Sequence, residues 1–364
     1  MLFLHSISAF QFKNYTNRSF DFKERIVGIC GNNGVGKTNL LDAIYYLCFT
    51  KSYFGRTDGN NVQQGRNGFR LEGEFELNGK KEKTVCVLRE TGRKEFTVND
   101  QSYDRFSRHI GRYPCVIIAP DDATLITGGS EERRKFIDSL LSQLDPEYLQ
   151  LLISYMKVVQ QRNSFLRNYL ETGGRSSHND LSLLDVFDEQ LIKPGEYIFN
   201  KRREFMVSFL PQVKHLYSQI AMAQEDLTLL YESQLLGSGF GDLLQSVRQK
   251  DLYAGRTTAG IHRDDLELSL AGQPFRSIAS QGQRKSLLFA LKIAELEVLS
   301  REKGFPPLLL LDDVFEKLDE NRIGNLLKYV CQENEGQVFI TDTNEQRLKE
   351  HLEEIGQPFQ MVEL

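Results

Sequence analysis

The chain has 364 residues, enough for one large or two ordinary domains with real cores. It is 40% hydrophobic and 26% charged, with a formal net charge of −5, so it is an ordinary globular protein. That charge excludes a generally basic nucleic-acid coat and leaves room for a local basic patch. Cys30, Cys48, Cys86, Cys115 and Cys331 are scattered with no C-x-x-C, which fits a reducing cytoplasm better than a disulfide frame or a zinc site. The start of the chain has no basic n-region, and no run of ~18 apolar residues occurs. We therefore expect no signal peptide, no membrane span and a cytoplasmic location.

Apolar segments at Leu2–Leu4, Ile7–Phe12, Ser19–Phe22 and Ile26–Cys30 predict strands that lead into a glycine-rich turn. A helix follows from Thr38, with Leu40, Leu41, Ile44, Leu47 and Cys48 on one side. Lys51–Arg56 reads as a polar-aromatic loop. Alternation over 69–77, an Asn78-Gly79 turn, and Thr84–Leu88 predict a hairpin, and Phe96–Val98 with Asn99-Asp100-Gln101 predicts another. Residues 66–98 thus form an antiparallel β-layer. Val116–Pro120 is a continuous apolar run, read as a buried strand, with Asp121-Asp122 at its end.

From Glu131 to about Lys250 the pattern turns helical with few strand signals. Pro146, Gly173-Gly174, Pro194-Gly195, Pro211 and the glycines at 237–241 divide it into helices of roughly 15–35 residues. Strand signals return at Leu266–Leu270. Ser280-Gln281-Gly282-Gln283 then opens a helix that carries Leu287, Leu288, Leu291, Ala294 and Leu299. Leu308–Leu311 reads as a buried parallel strand that ends in Asp312-Asp313. Gln337–Ile340, ending in Thr341-Asp342-Thr343, repeats the pattern. Strands alternating with helices around the glycine-rich turn imply a mainly parallel sheet with ligands at its strand C-termini.

That turn, Gly31-Asn32-Asn33-Gly34-Val35-Gly36-Lys37-Thr38, is a complete G-x-x-x-x-G-K-[ST] P-loop. A triphosphate needs backbone N–H groups wrapped around it, and glycine lets the chain approach that closely. The helix N-terminus adds its dipole. Lys37 can reach the β- and γ-phosphates, and the Thr38 hydroxyl can ligate Mg²⁺. Asp312, held at a strand mouth, is the expected acidic partner for Mg²⁺, directly or through water. Asp313 is placed to orient or deprotonate a water. Ser280-Gln281-Gly282-Gln283, at a helix start, reads either as another anion site or as a capped helix.

The order P-loop, Ser-x-Gly-Gln turn, apolar-Asp-Asp strand resembles the ABC-type ATPases. In that family Asp313 is commonly Glu, so slow turnover is expected here. Leu318-Asp319 resembles its D-loop, and Thr341 stands where many members place a γ-phosphate-sensing His. The resemblance implies a head-to-tail homodimer with two ATP molecules in the interface, each serine-glycine turn serving the other subunit's nucleotide. About 240 residues separate P-loop and signature, longer than in transporters. The Pro and Gly breaks argue against a long coiled coil and leave a short helical arm.

The chain also resembles the RecF family of bacterial recombination-mediator ATPases over nearly its whole length. Phe12-Lys13-Asn14-Tyr15 is similar to F-R-N-Y, and Gly31 to Leu41 with Asp42-Ala43-Ile44 to G-x-N-G-x-G-K-T-N-L-L-E-A-I. Pro120-Asp121-Asp122, Arg133–Asp138, Gly260–Asp265 and Ser280–Lys285 are similar to P-E-D, R-R-R-F-L-D, G-P-H-R-D-D and S-Q-G-Q-Q-R. Ile261 for Pro, Asp42 and Asp121 for Glu, and Glu316-Lys317 for Ser-Glu depart from it. The resemblance implies an α/β fold of P-loop, ABC-ATPase type with a mixed sheet, an antiparallel β-layer and an inserted helical arm. We expect a head over 1–130 and 255–364 and an arm over 131–254. It further implies ATP and Mg²⁺, binding of double-stranded DNA at single-strand gaps, and work with RecR and RecO to load RecA. Weak hydrolysis would then release the complex, in DNA repair, replication and the SOS response.

For DNA, phosphate contacts need clustered Lys and Arg. Arg66, Arg70, Lys80, Lys81 and Lys83 form one candidate cluster, and Lys201, Arg202 and Arg203 another; each can equally be a solvated face. Arg133-Arg134-Lys135 can cap and support a helix beside Glu131-Glu132. His262 with Asp264-Asp265 suggests a structural network near the ATPase face. The alternatives are an ATPase-controlled DNA nuclease and a transport-type ABC ATPase. No separate acidic metal cluster supports the first, and no membrane-partner motif supports the second.

Overall fold

The computed structural model describes residues 1–55, 57–172, 178–221, 225–315 and 320–364. The chain divides into two compact units, Met1–Asp122 with Leu288–Leu364, and Ala123–Leu287. In chain order the elements begin with β1 (Leu2–Phe12), β2 (Tyr15–Asp21), β3 (Ile26–Cys30) and α1 (Lys37–Phe49). There follow β4 (Phe69–Leu77), β5 (Lys80–Leu88), β6 (Lys94–Val98), β7 (Gln101–Ser102) and β8 (Cys115–Ile118). The second unit holds α2 (Ala123–Thr127), α3 (Ser130–Leu144), α4 (Pro146–Glu171), α5 (His178–Ala221), β9 (Leu227–Glu232), α6 (Phe240–Ala254), β10 (Asp265–Leu270), β11 (Gln273–Pro274) and α7 (Phe275–Ile278). Last come α8 (Gln281–Lys303), β12 (Leu308–Leu311), α9 (Glu320–Lys328), β13 (Val338–Asp342), α10 (Glu345–Ile355) and β14 (Phe359–Glu363).

The first unit carries two sheets. One is antiparallel, in the order β2-β1-β4-β5-β6-β7. Its hairpins turn at Asn78-Gly79 and Asn99-Asp100, all four with positive φ, as a two-residue type I′ connection requires. The other is parallel, in the order β14-β3-β13-β12-β8. Its central strands are buried throughout and apolar up to their C-terminal ends, as a sheet covered on both faces demands. α1 packs against β1, β4 and β5 of one sheet and β8 and β13 of the other. Sandwiched in this way, it buries Ala43, Tyr45 and Tyr46 as well as the expected apolar side. The one-sided reading of this helix is therefore corrected to a helix buried all round.

In the second unit the expected breaks at Pro194-Gly195 and Pro211 do not occur; α5 runs through both as a 44-residue helix. Each interior proline forfeits a backbone hydrogen bond and crowds the preceding turn, at a cost of about 3 kcal/mol. The compensation is an apolar stripe at Leu184, Leu191, Ile198, Met206, Phe209, Val213 and Tyr217, all buried. Gly195 is a notch in that stripe: a Cβ there would meet the Phe240 ring of α6 at 2.3 Å. Gly173-Gly174 lies outside the described residues. β9 is a strand inside the stretch read as helical, and it pairs antiparallel with β10. That pairing places β10 in the second unit. Among the described residues no helix is long and apolar enough to cross a membrane.

Candidate nucleotide site

β3 delivers the chain to the parallel sheet's C-terminal edge, and the P-loop turns there into α1. Gly34 and Gly36 take φ of +85° and +122°, conformations that an L side chain rarely adopts. A Cβ at Gly36 would also stand 2.8 Å from Asn14 Nδ2 and Tyr15 Oη. Lys37 is buried and its ammonium donates to the Gly31 and Asn32 carbonyls, at 2.9 and 3.3 Å. The lysine charge thus sits inside the loop's own concavity.

Parallel register aligns Leu311 of β12 with Ile340 of β13, which brings Asp312 beside Thr341. Thr38 Oγ1 donates to the Asp312 carboxylate, 2.8 Å from Oδ2 and 3.0 Å from Oδ1. Thr341 Oγ1 donates to Asp312 Oδ1 at 2.9 Å and accepts from the Asp313 N–H at 2.9 Å. The sequence leads to a sensor-like place for Thr341; in the structure its hydroxyl is a strut between the two aspartates. Asp313 itself has φ of +44°, a strained conformation for a non-glycine residue. Burial raises the Asp312 carboxyl above the usual range, opposed by the Thr38 and Thr341 hydroxyls. A buried carboxylate next to a threonine hydroxyl is a donor set that suits a hard, oxygen-preferring divalent cation. Asp342, one strand over, is already neutralised by two hydrogen bonds from Arg347.

The match to known proteins agrees with this geometry. The RecF/RecN/SMC N-terminal domain family matches residues 3–361. The chain belongs to the RecF family. A DNA replication and repair protein RecF of Flavobacterium johnsoniae is 41% identical over 99% of both chains. One of Phocaeicola vulgatus is 39% identical over 99% of this chain and 96% of its own. A solved structure of the recombination mediator protein RecF-ATP in the RecFOR pathway is 30% identical, with a TM-score of 0.85 over 94% of this chain and 92% of its own. An Smc head domain from Pyrococcus furiosus, 15% identical with a TM-score of 0.54 over 96% and 92%, shares the fold. The fold is thus the RecF/SMC-type ABC ATPase: α/β, with an antiparallel sheet and a helical insert.

The RecF-like Ser280–Gln283 turn lies in the second unit. Its two ends cap each other. The Ser280 N–H donates to Gln283 Oε1 at 2.7 Å, and the Gln283 N–H to Ser280 Oγ at 3.2 Å. Gln283 Nε2 also donates to Glu225. Ser280 and Gln281 are exposed, so the capped turn still presents its serine to solvent. Leu318-Asp319, with Glu316-Lys317 before them, lie outside the described residues, as does Arg56.

Among the charged motifs, Arg202 departs from the sequence expectation. Arg202 is no surface contact for DNA. It is 1% exposed and donates to Asp138 and Asp264 carboxylates, the Tyr148 hydroxyl and the Ile261 carbonyl. Arg133 forms a two-point pair with Asp265, and Arg134 reaches the Asp264 carbonyl. His262 meets the Tyr155 hydroxyl and the Thr257 carbonyl, and burial depresses its pKa to about 4. On the antiparallel sheet, Arg70 and Lys83 pair with Glu72, and Lys81 with Glu74. Among the described residues no cluster of three or more His, Cys, Asp or Glu could hold a metal.

Two features were not legible in the sequence. Asn14 and Tyr15 stand out in the sequence only through a family motif, yet both bond to P-loop carbonyls. Tyr53, Asp122, Lys292 and Glu295 form a largely buried polar cluster in the first unit. Burial raises the Glu295 pKa to about 7, against the Lys292 charge. Tyr53, Asp122 and the Lys292–Glu295 pair lie far apart in the chain, so no local pattern joins them.

Proposed function

We propose that this protein is an ATP-gated DNA clamp of recombinational repair, a weak DNA-dependent ATPase whose bound nucleotide controls dimerisation. The observation that carries the reading is the Thr38–Asp312 pair beside a complete P-loop. It is supported by RecF relatives called DNA replication and repair proteins, and by solved RecF structures described with ATP and ATPrS.

In this reading the P-loop residues Gly31 to Thr38 hold the triphosphate, and Lys37 leaves the Gly31 and Asn32 carbonyls to face the β- and γ-phosphates. Thr38 and Asp312 hold Mg²⁺, which when bound neutralises phosphate charge. Asp313 orients a water in line with the γ-phosphate; being one methylene shorter than Glu, it holds that water less firmly and turnover is slow. Ser280 to Gln283 serve the nucleotide of a second copy, so that ATP binding energy becomes dimerisation energy. The functional head comprises 1–130 and 255–364, and 131–254 is the arm. The dimer binds double-stranded DNA at single-strand gaps, works with RecR and RecO in loading RecA, and lets go on hydrolysis, in the cytoplasm.

The test is sedimentation of the protein with a fluorescent gapped duplex, with and without Mg-ATP. Wild type should form an ATP-dependent dimer that carries the DNA, while Lys37→Arg and Ser280→Arg remain monomeric. A wild type that stays monomeric with ATP and ignores the duplex would refute the clamp.

A further inference from the structure

The P-loop is gripped from behind by the turn between β1 and β2. Asn14 Nδ2 donates to the Val35 carbonyl at 2.8 Å, and the buried Tyr15 hydroxyl donates to the Gly36 carbonyl at 2.8 Å. Asn39 Nδ2, on the first turn of α1, donates to Asn14 Oδ1 at 2.8 Å, so the Asn14 amide is oriented at both ends. Lys13, beside them, pairs with the fully buried Asp42 of α1. Gly36 has no Cβ because these two side chains occupy its place.

A trans peptide is planar, with its C=O and N–H pointing in opposite directions. Fixing the Val35 carbonyl outward therefore aims the Gly36 N–H inward, and fixing the Gly36 carbonyl aims the Lys37 N–H inward. Among the described residues no protein acceptor meets either N–H. Both are free donors at the start of α1, where an anion is favoured. We infer that Asn14 and Tyr15 are positioning residues for nucleotide binding: they set the two backbone amides that receive the β-phosphate, and they tie the antiparallel sheet to the nucleotide. The inference rests on the ATP reading above and adds to it which side chains make the loop competent before nucleotide arrives.

The Gly36 carbonyl also accepts from the Leu40 N–H at 2.9 Å, so removal of the Tyr15 hydroxyl does not orphan it. The Tyr15 ring packs edge-on against Phe20, and Phe at 15 keeps that contact. Tyr15→Phe should thus fold with an unchanged melting temperature. The experiment measures Kd for ADP and the kcat and KM for ATP in wild type, Tyr15→Phe, Asn14→Ala, Asn14→Asp and the double variant Asn14→Ala/Tyr15→Phe. We expect the ADP Kd and the ATP KM to rise about tenfold in the double variant, kcat at saturation to stay within about twofold, and melting temperatures to match wild type. Asn14→Asp keeps the acceptor for Asn39 but has no donor for the Val35 carbonyl, so it should behave as Asn14→Ala. Unchanged Kd and KM in folded variants, or full recovery by Asn14→Asp, overturns the positioning role alone. A wild type that binds neither ADP nor ATP overturns the nucleotide reading itself.

Discussion

In the second unit buried and half-buried aspartates meet buried arginines: Asp264 and Asp138 share Arg202, and Asp251 and Asp188 share Arg162. At the mouth of β12 in the first unit, Asp312 meets only the hydroxyls of Thr38 and Thr341 among the described residues. Its neighbours in the same unit are not treated this way, since Asp42 has Lys13 and Asp342 has Arg347. Burial raises both Asp264 and Asp312, but a bonded guanidinium answers it at the first, and at the second two bonded hydroxyls with the more remote Lys37 charge. In the arginine networks each of these carboxylates has a guanidinium partner, and the pairs hold helices together. The Asp312 carboxylate has no ion-pair partner among the described residues, and that difference separates a site from a scaffold.

Removing a charge in each place should give opposite results. Arg202→Ala leaves two carboxylates, one of them almost fully buried, without their cation. We expect it to lose about 3–5 kcal/mol, seen as a large fall in denaturation midpoint. Asp312→Asn removes a buried charge that has no direct ion pair and keeps a group that its two hydroxyl partners can satisfy. Its melting temperature should equal or exceed that of wild type, while ATP turnover drops by ~10²-fold or more. An Asp312→Asn protein as unstable as Arg202→Ala would mean that the Asp312 site is structural after all.

A smaller effect separates the buried histidines from a buried carboxyl by pH. His262, in the second unit, has a folded pKa of about 4 against about 6.5 unfolded, through burial and the nearby Arg263 and Arg134 charges. Its contribution is present above pH ~6.5 and is lost as pH falls toward 4, by about 3 kcal/mol in all. His109, in the first unit, is lowered to about 4 by burial and acts in the same direction. Glu295 acts in the opposite direction. Its pKa is raised to about 7, so its contribution is present below ~4.5 and is lost as pH rises through 7. Stability curves of His262→Gln should therefore be flatter than wild type below pH ~6.5, and those of Glu295→Gln flatter between ~4.5 and 7. Parallel curves for variants and wild type would remove burial as the cause.

What the sequence made legible follows the range over which each signal acts. The P-loop, the Asn78-Gly79 turn and the apolar runs of β3, β8, β12 and β13 are local patterns, and the structure places them as read. The helix through Pro194 and Pro211 is not local. Its breaks are overridden by packing, and the Gly195 notch is explained only by Phe240, 45 residues later in the chain. Arg202 looked like part of a surface charge run beside Lys201 and Arg203. Yet it follows the buried Ile198 by four and precedes the buried Met206 by four, so a helical wheel places it on the apolar stripe. In the site, the glycines, Lys37, Thr38 and Asp312 were legible because their chemistry dictates their spacing. Asn14 and Tyr15 were not, because they act from the back of the loop through carbonyls that carry no side-chain signature.

The smallest expected effect lies on the antiparallel sheet, where the contrast with Arg202 is greatest. Lys83 is 60% exposed at its side chain, and its partner Glu72 is also held by Arg70. An exposed pair of this kind contributes little, because water screens it and two long side chains must be ordered to make it. Lys83→Ala should shift stability by less than about 0.5 kcal/mol. It should also leave duplex affinity within about twofold, because its charge is already balanced by Glu72 and releases few counterions. The duplex-binding salt dependence in Lys83→Ala is the check. A slope shallower by about one unit would show that Lys83 leaves Glu72 for a DNA phosphate, making this paired face part of the DNA contact.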